Sequence, residues 1–150
     1  MLCWFMRNYK DMKPPLPIRN FVLAEATLNF CNLAIDVFKF AEPRPEKLSL
    51  ELTLEDMTEN GVPCTLSSAP DNGPHYHRWK GNTRSAPSDP ISSAYLLDFA
   101  SADAEIAAFQ LVGGLYLKFG FNLDEVPYKH RGADAEDRIS TDTLFVRPQQ

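Results

Sequence analysis

The chain has 150 residues, of which 44% are hydrophobic and 23% are charged. This length suits one domain with a hydrophobic core, and the composition excludes wholesale disorder, collagen-like repeats and coiled-coil arrays. With 15 Lys and Arg against 20 Asp and Glu, the formal net charge is −5. The acidic balance argues against a protein that coats nucleic acid or an anionic membrane by bulk charge.

The N-terminal region does not match a signal peptide. Residues 1–7 are apolar for only six positions and lack the charged start and the small-residue cleavage site. No stretch of about 18 apolar residues is free of charge, which predicts that no segment spans a membrane. Three prolines within residues 14–17 favour an extended lead-in over residues 1–17. This lead-in either packs on the domain or joins it to a longer protein, and residues 18–150 form the predicted domain.

The cysteines indicate a reducing compartment. Cys3, Cys31 and Cys64 are odd in number and include no Cys-x-x-Cys pair. This pattern suggests neither a disulfide framework nor a zinc ribbon. We therefore expect reduced thiols and a cytoplasmic location.

A long helix is predicted from Ile18 to Phe40. Its polar residues fall on one stripe, and nearly all its other residues are apolar, so we expect burial on more than one side. Pro43 and Pro45 end the helix. The polar stripe consists of Glu25, Asn29, Asn32, Asp36 and Lys39.

Residues 46–57 change to a strand pattern, because leucines alternate with polar residues from Leu48 to Leu54. The Asn60-Gly61 pair predicts a hairpin turn within residues 58–61. Residues 62–67 then return as a weaker second strand, which Pro63 places at an edge or a bulge.

Three further segments follow. Residues 75–80 predict a short aromatic strand between two loops, and residues 91–100 predict a strand that ends near Asp98. A second apolar helix is predicted from about Ala102 to Phe119, with Ser101 as its N-cap and Gly120 as its C-terminal stop.

Two glycines lie in the middle of that helix. Gly113 and Gly114 each cost roughly 1 kcal/mol of helix propensity relative to alanine. Such a pair is tolerated where another backbone must come close.

Beyond the second helix, residues 122–141 are polar with mixed charge and predict a long mobile loop. Residues 143–146 predict a last strand, which Pro148 closes.

The order helix, hairpin, strand, strand, helix, strand predicts an α+β fold: a mainly antiparallel sheet of about five strands packed with two long apolar helices. Two such helices leave more apolar surface than one face of this sheet can cover. This excess predicts a homo-oligomer or a protein partner. The alternative is that the second helix is central in a compact core.

His75 and His77 are a candidate metal pair. On a strand, two histidines two residues apart point to the same side, as in His-x-His metal sites. The pair suggests a metal-dependent hydrolase or nuclease, whereas two half-exposed histidines on a sheet face need no metal.

Residues 75–84 form a locally basic segment with interleaved aromatic residues, a combination that suits a nucleotide or single-stranded nucleic acid. A tryptophan anchored in the sheet between solvated charges is the simpler interpretation. The candidate ligand-binding residues are Tyr76, Arg78, Trp79, Lys80 and Arg84.

No coherent catalytic set is present in the sequence, which has no Gly-x-Ser-x-Gly elbow and no phosphate-binding Gly-Lys-Ser/Thr motif. We therefore predict no cofactor and a non-catalytic binding or assembly module, which acts through a homo-oligomeric or partner-protein interface. The alternatives are the hydrolase or nuclease and the nucleotide or single-strand binder described above.

Overall fold

A computed structural model describes residues 13–71 and 81–144. Within these residues the chain has an α+β fold whose strands pair antiparallel. In chain order the helices and strands are α1 (Asn20–Lys39), β1 (Lys47–Leu54), β2 (Thr58–Glu59), β3 (Val62–Pro63), β4 (Thr65–Ser67), β5 (Thr83–Ser85), β6 (Ile91–Asp98), α2 (Ala104–Lys118), β7 (Lys129–Arg131), β8 (Asp137–Ile139) and α3 (Thr141–Leu144). Single 3-10 turns occupy Phe99–Ser101 and Leu123–Glu125.

The first helix and the leucine strand are confirmed. α1 lies within the predicted range, and β1 directs its four leucines to one face, of which Leu50 and Leu54 are buried. β1 pairs with β6 over all eight residues of each strand, which sets Leu48 opposite Leu97 and Leu54 opposite Ile91. The period of two therefore separates a buried face from a polar outer face.

The strand pairing differs from the predicted single sheet of about five strands. The described strands form four two-stranded ladders, and the Asn60-Gly61 hairpin joins only β2 and β3. β1 does not continue into this hairpin, because Asp56 adopts a positive φ and the Met57 amide donates to the Asp89 carboxylate at 3.0 Å. The partner of β1 is thus β6 rather than the strand after the turn. The third strand predicted over residues 75–80 falls outside the described residues.

The C-terminal end of the lead-in is hydrogen-bonded to the rest of the fold. Backbone hydrogen bonds connect Leu16 and Ile18 to Thr65, at 2.9 and 2.7 Å, and Pro17 forms a parallel bridge to the same residue. These bonds fix the chain beside β4 immediately before α1 begins.

α2 is the central helix of the fold. It packs against α1, β6 and β8, and most of its residues are buried. Its N-cap is Asp103 rather than Ser101, because the preceding 3-10 turn occupies Phe99–Ser101 and the Asp103 carboxylate accepts the amides of Glu105 and Ile106. The predicted C-terminal stop is confirmed, since Gly120 follows the helix at a φ of +89°.

The two glycines in α2 differ in their neighbours: β6 comes close at Gly114, whereas Gly113 faces the end of the Leu123 side chain. A Cβ on Gly114 would lie 2.8 Å from the Cβ of Ser93 on β6. The Ser93 hydroxyl donates to the carbonyl oxygen of Leu111 at 2.5 Å. Strand and helix are therefore held together at a distance that a side chain at position 114 would prevent.

The prediction of a long mobile loop over residues 122–141 is wrong. The described residues of this region form a 3-10 turn and the β7–β8 hairpin, because the mixed charges pair with each other. The Asp137 carboxylate forms ion pairs with Lys129 and Arg131, at 3.8 and 3.6 Å. The Arg138 guanidinium lies 3.5 Å from the carboxylate of Asp103 at the start of α2, which attaches the hairpin to the core.

The predicted last strand over residues 143–146 is also wrong in its described part. Residues Thr141–Leu144 form the short helix α3, where the Thr143 and Leu144 amides donate to the carbonyl oxygen of Ser140. Leu144 is buried. Residues 145 and 146 lie outside the described residues.

Cys31 is fully buried on the inner face of α1, and this burial raises the pKa of its thiol to about 12. In the unfolded chain the thiol titrates near its ordinary pKa of about 8.5. Above that pH the folded state keeps a proton that the unfolded state loses, so this group lowers the free energy of unfolding as the pH rises toward 12.

We expect wild-type protein to lose about 1 to 2 kcal/mol more stability between pH 8 and pH 10 than Cys31→Ala, since a full proton of difference corresponds to about 1.4 kcal/mol per pH unit. Urea unfolding at the two pH values measures the difference. Equal losses in the two proteins would contradict the raised pKa.

Candidate protein-interaction surface

Of the candidate ligand-binding residues, Arg84 alone lies in the described part of the chain. It belongs to β5, and its guanidinium carbon lies 5.3 Å from the centroid of the Phe121 ring. The remaining candidates, including the metal pair, fall outside the described residues: His75, Tyr76, His77, Arg78, Trp79 and Lys80. The nucleotide-binding and metal-binding interpretations stay predictions.

The surroundings of Arg84 include a negative charge. Glu125 accepts the backbone amide of Asn122 at 2.9 Å and the side-chain amide of Asn82 at 2.8 Å. These hydrogen bonds lower the pKa of Glu125, and Arg84 contributes in the same direction. Arg84 thus packs on an aromatic ring and interacts electrostatically with a nearby carboxylate. Within residues 13–71 and 81–144, no group of three His, Cys, Asp or Glu side chains could hold a metal ion.

A buried polar network fixes the N-terminus of α1. The side-chain amide of Asn20 donates to the carbonyl oxygens of Ser67 and Ala69, at 3.1 and 2.7 Å, and its oxygen accepts the amide of Asp71. Asn20 is only 2% exposed. One side chain therefore attaches the first turn of the helix to the segment that follows β4.

Asp71 completes this attachment from the other direction. Its carboxylate accepts the backbone amide of Phe21 at 2.9 Å and forms an ion pair with Arg19 at 3.0 Å. A carboxylate at this position suits the positive end of the helix dipole. The Tyr128 hydroxyl accepts the Asp71 amide at 2.8 Å, so residues from distant parts of the sequence converge at the start of α1.

Tyr116 supports the same segment from inside the core. Its hydroxyl donates to the carbonyl oxygen of Ser67 at 2.7 Å, and its burial raises the pKa of this phenol. Together with the Asn20 amide, this contact satisfies a carbonyl group that would otherwise be buried without a donor. α1 is consequently held rigidly at one end.

The outer face of α1 exposes an apolar stripe near its other end. Three apolar side chains at spacings of three and four residues lie along one side of the helix, and a fourth follows three residues later at the C-cap. They form the α1 stripe: Phe30 (38% exposed), Leu33 (53%), Val37 (57%) and Phe40 (80%). The opposite face is packed into the core through Leu28, Cys31 and Ala34.

The two long helices differ in their burial. α2 is central and buried, as in the compact-core alternative, whereas α1 is buried on one side only within the described structure. Within the described residues, nothing covers the second side of the C-terminal half of α1, where the sequence predicts burial. α1 is also the one described helix that is long and apolar enough to cross a membrane, with a mean hydropathy of 1.4, which is weak evidence because core helices of soluble proteins pass the same test.

No family model matches this chain, and no match was found among curated proteins or solved structures.

The sequence predicts excess apolar surface on the two long helices, but it does not locate this surface on the α1 stripe. The available signal was the spacing of Phe30, Leu33, Val37 and Phe40 beside the polar stripe. This spacing predicts one apolar side, but it does not reveal whether that side meets the core. The answer depends on which strands pair, and the sequence pattern predicted a larger sheet than the described residues form.

Proposed function

We propose that this protein is a non-catalytic assembly module that associates with a second copy of itself through the α1 stripe. The observation that supports this function is the exposure of four large apolar side chains on a helix whose other face is fixed in the core. Because the network around Asn20 and Asp71 holds the helix in place, the surface is preorganised, and docking costs little conformational entropy.

The size of the α1 stripe suits a two-fold interface. If a phenylalanine side chain offers roughly 200 Å², the four side chains expose on the order of 400 Å², as much as the largest apolar patch on a typical monomer. An interface between two copies buries this patch twice, about 800 Å² in all, which is about half of a standard interface of roughly 1,600 Å². The apolar share of such an interface is somewhat more than half.

The spacing of the α1 stripe is symmetric about position 35. Phe30 and Phe40 lie five residues on either side of it, and Leu33 and Val37 lie two residues on either side. When two copies of the helix pack antiparallel across a two-fold axis at this position, Phe30 of each copy meets Phe40 of the other, and Leu33 meets Val37. An interface that uses one patch twice must be self-complementary in this way.

The test compares Leu33→Asp with Asn32→Asp. Both changes add one negative charge to the exposed side of α1, but only the first places it in the stripe. We expect Leu33→Asp to weaken the α1 contact at least 100-fold, since two buried charges per interface each cost about 1.4 kcal/mol or more.

Sedimentation velocity at matched concentrations, with circular dichroism to verify the fold, gives the measurement. The expected result is that Leu33→Asp reduces the mass of the wild-type assembly by half or more, whereas Asn32→Asp leaves it unchanged. A wild-type protein that is monomeric at about 100 μM, or a Leu33→Asp variant that associates normally, would overturn the proposal.

A further inference from the structure

Within residues 13–71 and 81–144, one edge of β1 has no partner strand. The strand is eight residues long and pairs along one edge with β6, and no strand in the described part of the chain pairs with its other edge. Such an edge presents a row of backbone donors and acceptors that another strand can satisfy. β1 contains no proline, and all eight of its residues pair with β6 without interruption.

The apolar face of β1 is incompletely covered. Leu50 and Leu54 are buried, whereas Leu48 and Leu52 are only half-buried, although all four point to the same face. α2 packs mainly against β6 rather than β1, which leaves the side of β1 away from β6 less covered. Side chains of a further strand would lie about 5 Å from the leucines that they face and would increase their burial.

The charges on the outer face of β1 favour a second copy of β1 as the strand that pairs with this edge. Lys47 and Glu51 are exposed and lie symmetrically about Ser49. When a second β1 strand pairs antiparallel with Ser49 opposite Ser49, Lys47 of each copy lies opposite Glu51 of the other. The same register sets Leu48 opposite Leu50 on the apolar face. Opposite charges in facing positions favour this pairing.

Neighbouring registers are less favourable. A shift by one residue directs leucines and charged residues to the same face. A register centred on Leu50 sets Lys47 opposite Thr53 and loses both ion pairs, and a register centred on Glu51 places two carboxylates opposite each other. The charge pattern therefore specifies one alignment.

We infer that β1 is a second self-association surface, at which Lys47–Glu51 of two copies pair antiparallel and form a four-stranded sheet in the order β6, β1, β1, β6. This surface lies on a different element from the α1 stripe and goes beyond the function proposed above. A chain with two such two-fold contacts assembles beyond a dimer, either into a closed tetramer or into an extended chain.

The test exchanges the two charges in a protein that lacks the α1 contact. In the Leu33→Asp background, we expect a dimer that Glu51→Lys converts to a monomer, because the lysine introduced by this change faces Lys47 twice per interface. Adding Lys47→Glu restores opposite charges and should return the association constant to within about threefold of the parent, whereas Glu51→Lys alone lowers it at least tenfold.

Glu55→Lys is the matched control. It makes the same change in charge on an exposed residue directly after β1, outside the paired segment, and should leave the dimer unchanged. Sedimentation velocity measures each variant. A monomeric Leu33→Asp parent, an inert Glu51→Lys, or a failure of the exchanged pair to restore the dimer would overturn the inference.

The same experiment separates this inference from the α1 proposal. If Leu33→Asp leaves the wild-type mass unchanged while the charge exchange still breaks and restores association, the α1 proposal fails and the β1 pairing stands. If Leu33→Asp yields a monomer, the α1 proposal stands and the β1 pairing fails.

Discussion

Asn20→Ala should lower the free energy of unfolding by about 3 kcal/mol, because each buried polar group left without a partner costs about 1 to 3 kcal/mol. The wild-type side chain satisfies the carbonyl oxygens of Ser67 and Ala69 and the amide of Asp71 at once. Alanine removes all three hydrogen bonds. The carbonyl oxygen of Ser67 keeps the Tyr116 hydroxyl and the Asp71 amide keeps the Tyr128 hydroxyl, but no other donor is present for Ala69 among the described residues. Equilibrium urea unfolding gives the measurement.

Asn32→Ala is the control for this change. Asn32 lies on the same helix but is exposed, so its replacement should alter the free energy of unfolding by no more than about 0.5 kcal/mol. An Asn20→Ala loss of less than about 1 kcal/mol would show that the network does not depend on this side chain. Comparable losses in the two variants would point to a general effect of asparagine in this helix.

Gly114→Ala should destabilise the protein by about 1 to 2 kcal/mol, although alanine favours a helix interior over glycine by roughly 1 kcal/mol. The added Cβ would lie 2.8 Å from the Cβ of Ser93, and forcing a tightly packed strand and helix apart costs about 1 to 3 kcal/mol. The sign of the effect thus opposes helix propensity.

Two further variants test the cause. Gly113→Ala places its Cβ 3.0 Å from the end of the Leu123 side chain, which can move, so this substitution should be neutral or slightly stabilising. In the Ser93→Gly background the contact that opposes Gly114→Ala is absent, and its cost should disappear. A double-mutant cycle with no coupling between positions 93 and 114 would contradict this explanation.

Local sequence patterns predict those helices and strands in which apolar and polar residues recur at regular spacing. The alternating leucines of β1, the polar stripe of α1 and the glycine that follows α2 each depend on a few consecutive residues, and the structure has them where the patterns indicate. The α+β class follows from the order of these elements. The Gly113-Gly114 pair indicates a close neighbour, because glycine is unfavourable in a helix interior, but the pattern does not tell which of the two glycines meets β6.

Contacts between distant residues were not predicted. Nothing near Asp71 in the sequence indicates that its carboxylate meets the start of α1, 50 residues earlier. Likewise, the mixed charges of residues 122–141 suggest a solvated loop until Arg138 is found beside Asp103. The α1 stripe was missed for the same reason: the exposure of Leu33 depends on the absence of a covering element, which no local pattern reports.

The pairing of β1 with β6 also has a consequence during synthesis. Leu54 of β1 meets Ile91 and Lys47 meets Asp98, so 44 residues (98 − 54) separate the end of one strand from completion of its partner. At about 5 to 20 residues per second, a ribosome needs roughly 2 to 9 s to make them. During that interval the nascent chain contains the complete strand β1 without its partner β6. Nascent chains on neighbouring ribosomes present the same strand.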